Sequence, residues 1–137
     1  MDVKQISAGT ITGAITLFGL GFLMFELMGG GAQLFDGSAA GLRGEVLKVP
    51  IFLIDVATAL LVTIVYNRWA GIKTFAAGAK NGLWIGFLLG AIVQLDFYAC
   101  TEVATLNSVF FYMATHAVRM TIAGGVIGWV LGKLNAH

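Results

Sequence analysis

The sequence predicts an all-α integral membrane protein: an antiparallel four-helix bundle with its N- and C-termini both cytoplasmic. Three observations carry that prediction. The chain has 137 residues, 58% of them hydrophobic and 11% charged, with a mean hydropathy of +0.90. An average soluble domain is about 25% charged, and one this small could not hide so much apolar surface from water. Four windows supply the run of about 20 mainly apolar residues that a bilayer-spanning helix needs. Finally, the lysines and arginines gather in segments that an even number of crossings places on one side.

The spans run over about 8–28, 50–66, 76–100 and 108–134, within a single transmembrane domain covering 1–137. The second is at the short limit, whereas the third and fourth can tilt or project beyond the hydrocarbon. Pro50 suits the first turn of the second helix, where its missing N–H is no loss. A cleaved signal peptide is the rival reading of the first window. Its apolar run exceeds the usual hydrophobic region of such a peptide and contains Glu26, which favours a retained span. Lys4, Arg68, Lys73, Lys80 and Lys133 share one side. Arg43 and Lys48 on the other side are offset by Asp36, Glu45 and Glu102. The first set marks the cytoplasmic side, with Trp69 as an interfacial anchor. Residues 29–49 form the outer loop, whose glycines and small residues suit a mobile segment or one ordered against a partner.

The third span carries Gly78, Gly82, Gly86 and Gly90 in "GAKNGLWIGFLLG". Each costs a helix interior about 1 kcal/mol relative to alanine. Lipid supplies no hydrophobic force between helices, so close backbone approach must hold them together, and small residues permit it. On the fourth span Thr121, Gly125, Gly128 and Gly132 form a second small face, expected to meet the ladder near the cytoplasmic side or to meet another protomer.

Five ionisable residues fall within the spans: Glu26, Asp55, Asp96, His116 and Arg119. Such residues are rare in hydrocarbon, where each costs at least about 2.5–3.5 kcal/mol at the centre. Tyr112, His116 and Arg119 share one helical stripe, and Asp96 lies within about 60° of the centre of the glycine ladder. Arg119 is expected to pair with Asp55 or Asp96, leaving one carboxylate over. The arginine stripe lies nearly opposite the glycine stripe of the same helix. With arginine inward, the glycines are expected to face a second copy or another subunit.

Several functions lack their residues. Near-neutral charge without a basic motif gives no nucleic-acid site. The single Cys100 allows no intrachain disulfide and no multi-cysteine metal site, and no metal site is expected. Paired histidines for haem, a zinc-hydrolase HExxH and a phosphate-binding glycine loop are lacking, so no cofactor is expected. No serine stands beside His116, and nothing supports nucleophilic catalysis.

At "NRWAGIKTFAAGAKNGLWIGFLLG", "IAGGVIGWVLGKL" and "GTITGAITLFGLGFLMFEL" the chain resembles a group of small bacterial four-helix integral membrane proteins of unknown function. The resemblance implies the fold and a bacterial cytoplasmic membrane, and no chemistry. The residues point to a non-enzymatic membrane protein with an outward-facing polar pocket for a small solute or ion. A polar lock that fixes helix register is the plainer reading of the same cluster. An accessory subunit, or a homodimer, packing through its glycine faces is the alternative.

Overall fold

Apolar runs place the helices of this chain, but polar contacts decide where they end. The computed structural model describes residues 3–27, 37–38 and 47–135, the side chains of Glu26 and Leu27 excepted. Most of the outer loop, with Asp36, Arg43 and Glu45, lies outside the described residues. Helix α1 spans Val3–Gly21 and runs on as a π-helical turn, Phe22–Leu27. Helix α2 spans Lys48–Ile64 and likewise runs on as a π-turn, Val65–Ala70. Helices α3 and α4 span Phe75–Cys100 and Leu106–Asn135. The described residues contain no strand, and these four helices are each long and apolar enough to cross a membrane.

Two ends, the start of the first stretch and the close of the second, differ from the hydropathy windows by more than two residues. α1 begins at Val3, ahead of the apolar run, because its first turn is held by polar groups: Gln5 Nε2 donates to Asn135 Oδ1 at 2.8 Å. The same bond sets the start of α1 beside the end of α4. The second helical stretch passes through the polar Asn67 and Arg68 and stops only at Gly71. Gly71 has φ +63°, a left-handed conformation that favours glycine, and it turns Ile72 N–H back onto Tyr66 O at 3.0 Å. α3 then starts from Thr74, whose hydroxyl accepts from Ala77 N–H at 3.2 Å.

α4 is the central helix. Half of its most apolar window is buried, 50% against 17% for α3, which packs chiefly along α4. α1 lies against both α2 and α4. The α1–α2 seam sets Gly9 against Thr63 and Gly13 against Ala59, with Phe18 edge-to-face on Phe52 at 5.5 Å. The core of Leu17, Ala59, Val62, Tyr66, Met120 and Ile127 fills the space between α1, α2 and α4.

The glycine ladder of α3 packs directly on the α4 backbone. Gly78 abuts the Gly124 carbonyl, Gly82 the Met120 carbonyl, Gly86 the Met120 side chain and His116 carbonyl, and Gly90 the Met113 Cα. The opposing positions thus descend along α4 as the ladder ascends. The fifth step is Gln94, buried like the glycines, with its Nε2 donating to Ser108 Oγ at 3.3 Å. A Cβ at Gly78, Gly82 or Gly86 would run into a carbonyl oxygen of the α4 backbone, so the helical penalty is exchanged for close contact along this part of the seam.

The second glycine face meets the start of α3, one of the two partners expected from the sequence. Gly124 and Gly128 both lie against Gly78, and Gly124 also faces Gly82. Gly125 lies under the Phe75 ring, Gly128 against the Thr74 carbonyl and Gly132 against the Lys73 carbonyl of the same chain. The short connection after Gly71 folds across the end of α4 and occupies that face. A central helix can bury opposite stripes at once, so an inward arginine does not leave the glycines for a second copy.

At the other end, Gly37 N–H donates to Val103 O at 3.1 Å and Ser38 N–H to Glu102 O at 2.6 Å. Gly37 and Ser38 of the long loop therefore lie on the α3–α4 connection.

Candidate functional site

Arg119 lies near the middle of α4 and is buried, and its hydrogen-bond partners come from neighbouring helices. Its Nη2 donates to Asp55 Oδ1 of α2 at 3.2 Å and to the Leu17 carbonyl of α1 at 2.9 Å. Gly21, one turn after Leu17, leaves the space that the guanidinium fills: a Cβ there would stand 2.9 Å from Nη2. The Phe25 ring, carried by the π-turn, lies 5.3 Å from Arg119 Cζ, within cation–π range. Insertion of a side-chain donor into the helical ladder distorts a helix. Arg119 reaches the Leu17 carbonyl one turn before α1 gives way to the π-turn at Phe22.

An aromatic stack extends the site along α4. Tyr112 and His116 stack at 5.2 Å with an 11° interplanar angle, and Phe25 sits 6.3 Å from the Tyr112 ring. The ladder holds this turn from behind, since Gly86 and Gly90 press on the His116 carbonyl and Cβ. The small faces of α3 and the polar face of α4 are therefore one construction: glycines fix the backbone that carries the histidine and arginine.

The polar atoms are not all paired. Asp55, His116 and Arg119 are 5%, 9% and 6% exposed, yet Asp55 Oδ2, His116 Nδ1 and Arg119 Nε have no hydrogen-bond partner. Guanidinium and carboxylate favour two parallel bonds. Here one prong is made, and a donor and an acceptor on the same two side chains are left over. Buried groups in that state cost about 1–3 kcal/mol each, more when charged. The arrangement can accept a water, or a small group offering its own donor and acceptor.

Of the residues singled out in the sequence, the structure joins Asp55, Tyr112, His116 and Arg119. Asp96 is not among them. It is exposed, and its Oδ1 accepts from Cys100 Sγ at 3.6 Å. Each ladder step turns the seam about 40°, so contact at that height has rotated to Gln94, and Asp96 lies about 200° further round. The Glu26 side chain lies outside the described residues. Reading by residue type missed Leu17, Gly21, Phe25, Tyr66 and Gln94. Gln94 was accessible as the next member of the four-residue period, whereas a backbone acceptor such as Leu17 O leaves no mark in a sequence. Tyr66 is fully buried and its hydroxyl donates to the Gly78 carbonyl at 2.7 Å, tying the end of α2 to the ladder. Among the described residues no group of three acid, histidine or cysteine side chains is placed to hold a metal ion.

The fold and site define a class by architecture: an all-helical protein of four apolar helices with a buried arginine–carboxylate pair at its centre. No protein-family model, curated protein or solved structure matches the chain.

Proposed function

We propose that this is a small multi-pass membrane protein whose central cluster of Asp55, Arg119 and His116 binds a small polar solute or ion from the outer side. The observation that carries the reading is the half-made pair: three side chains more than nine-tenths buried, each with an unpartnered polar atom. Intramembrane ionisable groups that face neighbouring helices mark ligand or ion sites by default. A membrane setting is supported by what the helices expose. α3 turns Leu83, Trp84, Phe87, Leu88 and Ile92 outward, a surface suited to lipid. Antiparallel packing of α3 on α4 and the Gln5–Asn135 bond agree with both termini on one side. The excess of Lys4, Arg68, Lys73, Lys80 and Lys133 makes that side cytoplasmic.

The accessory-subunit or homodimer reading rested on a free glycine face of α4. With that face occupied by residues 73–75, the alternative draws on the exposed apolar faces of the helices, which lipid covers equally well.

The test is a thermal-shift panel on the detergent-purified protein, using chloride, acetate, ammonium and acetamide as probes. Binding to the native state alone raises Tm in proportion to ln(1 + [L]/Kd). A probe that stabilises the wild type and leaves Asp55→Asn or His116→Gln unmoved supports the site. Equal responses from wild type and variants to every probe would leave a structural lock as the account of the cluster.

A further inference from the structure

A second feature lies away from the polar cluster, at the end of the molecule where α3 begins and α4 finishes. An open groove of about 400 Å³ is lined there by Lys73, Thr74 and Phe75 on one side and Trp129, Lys133 and Asn135 on the other. Its volume is within the range of small-molecule sites. Lys133 Nζ rests 5.7 Å from the Trp129 ring, so one ammonium is held at the groove wall. Lys73 supplies the second from the short connection after Gly71. Arg68 and Lys80 are exposed on the same end, and no acidic side chain belongs to that end among the described residues.

The walls are apolar as well as basic. Phe75 and Trp129 are about half exposed, at 49% and 52%. Above the groove α4 keeps Val118, Ile122 and Trp129 exposed, and these fall within about 40° of one another around the helix. A cationic pocket at one end therefore opens onto an apolar track that runs up the helix. A free anion uses the lysines and has no use for the track; a lipid uses both.

We propose that this groove binds the headgroup of an anionic phospholipid of the cytoplasmic leaflet. The phosphodiester sits between Lys73 and Lys133, with an acyl chain along Trp129, Ile122 and Val118. Basic pockets between helices on the cytoplasmic side suit such headgroups. The inference rests on the membrane setting proposed above and is independent of what the polar cluster binds.

The experiment reconstitutes the full chain into nanodiscs of phosphatidylcholine with one fifth phosphatidylglycerol and counts retained lipids by native mass spectrometry. Retention of phosphatidylglycerol over phosphatidylcholine is expected. Each lysine lost should lower that preference about fivefold, so Lys73→Gln/Lys133→Gln should abolish it while Lys73→Arg/Lys133→Arg keeps it. Lys80→Gln, outside the groove, should leave it unchanged. Equal retention of the two lipids, or an equal loss in Lys80→Gln, would overturn the proposal. So would displacement of the lipid by millimolar inorganic phosphate, which would assign the groove to a free anion. Failure to enter nanodiscs at all would instead remove the membrane setting.

Discussion

Arg119 and Asp55 are 64 residues apart in the chain and joined by a single nitrogen–oxygen contact of 3.2 Å. The contact closes α2 onto α4, and the same nitrogen also closes α1 through the Leu17 carbonyl. One guanidinium thus fastens three helices. Its worth to the fold and its use as a binding site can be separated by measurement.

Removing one member of a buried pair strands the other charge and costs about 3–5 kcal/mol, whereas replacing both with apolar groups is often near neutral. Asp55→Leu and Arg119→Leu are each expected to be strongly destabilising. The double variant should recover most of the loss. Unfolding titrations in mixed detergent micelles give the cycle, and simple additivity of the two losses would show that the residues do not act as a pair.

The ladder makes a prediction with its own control. A Cβ at Gly82 would run into the Met120 carbonyl, but one at Gly19 meets nothing within 4 Å. Gly82→Ala should therefore cost about 1–3 kcal/mol through overpacking. Gly19→Ala should stabilise by about 0.4–1 kcal/mol through the unfolded chain and better helix propensity. Comparable Tm values for the two variants would contradict the seam described here.

Tyr66→Phe keeps the ring in the core and removes only the hydroxyl that donates to Gly78 O. A loss of about 1 kcal/mol is expected. Hydrogen exchange should rise at the start of α3 more than in α1, since the bond anchors the ladder's first step. A uniform rise throughout the protein would argue for global destabilisation instead.

Orientation can be read with a native reporter. Cys100 is the chain's single cysteine and is exposed at the end of α3. A membrane-impermeant maleimide should label it in right-side-out vesicles, while Cys100→Ser with Lys73→Cys should label only after the membrane is opened. The reverse pattern would invert the proposed topology.

Much of the architecture could be read from residue order, because long apolar helices are local objects. Length and apolarity place Ala8, Ala76 and Ser108 near span starts without knowledge of any neighbour. The ladder was legible because a period of four is a property of one helix. The outcome at Asp96 shows where such reading ends: its azimuth on α3 was sound, but the contact line had rotated past it to Gln94.

The sequence by itself determined four apolar helices, a glycine face on the third and a small set of polar groups costly to scatter among apolar surfaces. Tertiary structure alone decided that α4 is central, that residues 73–75 at the start of α3 cover its glycines, and that Arg119 takes Asp55 and a backbone carbonyl. Helix formation is settled within a few turns, whereas the partner of a buried charge is settled by which segments, distant in the chain, come within 3 Å of it.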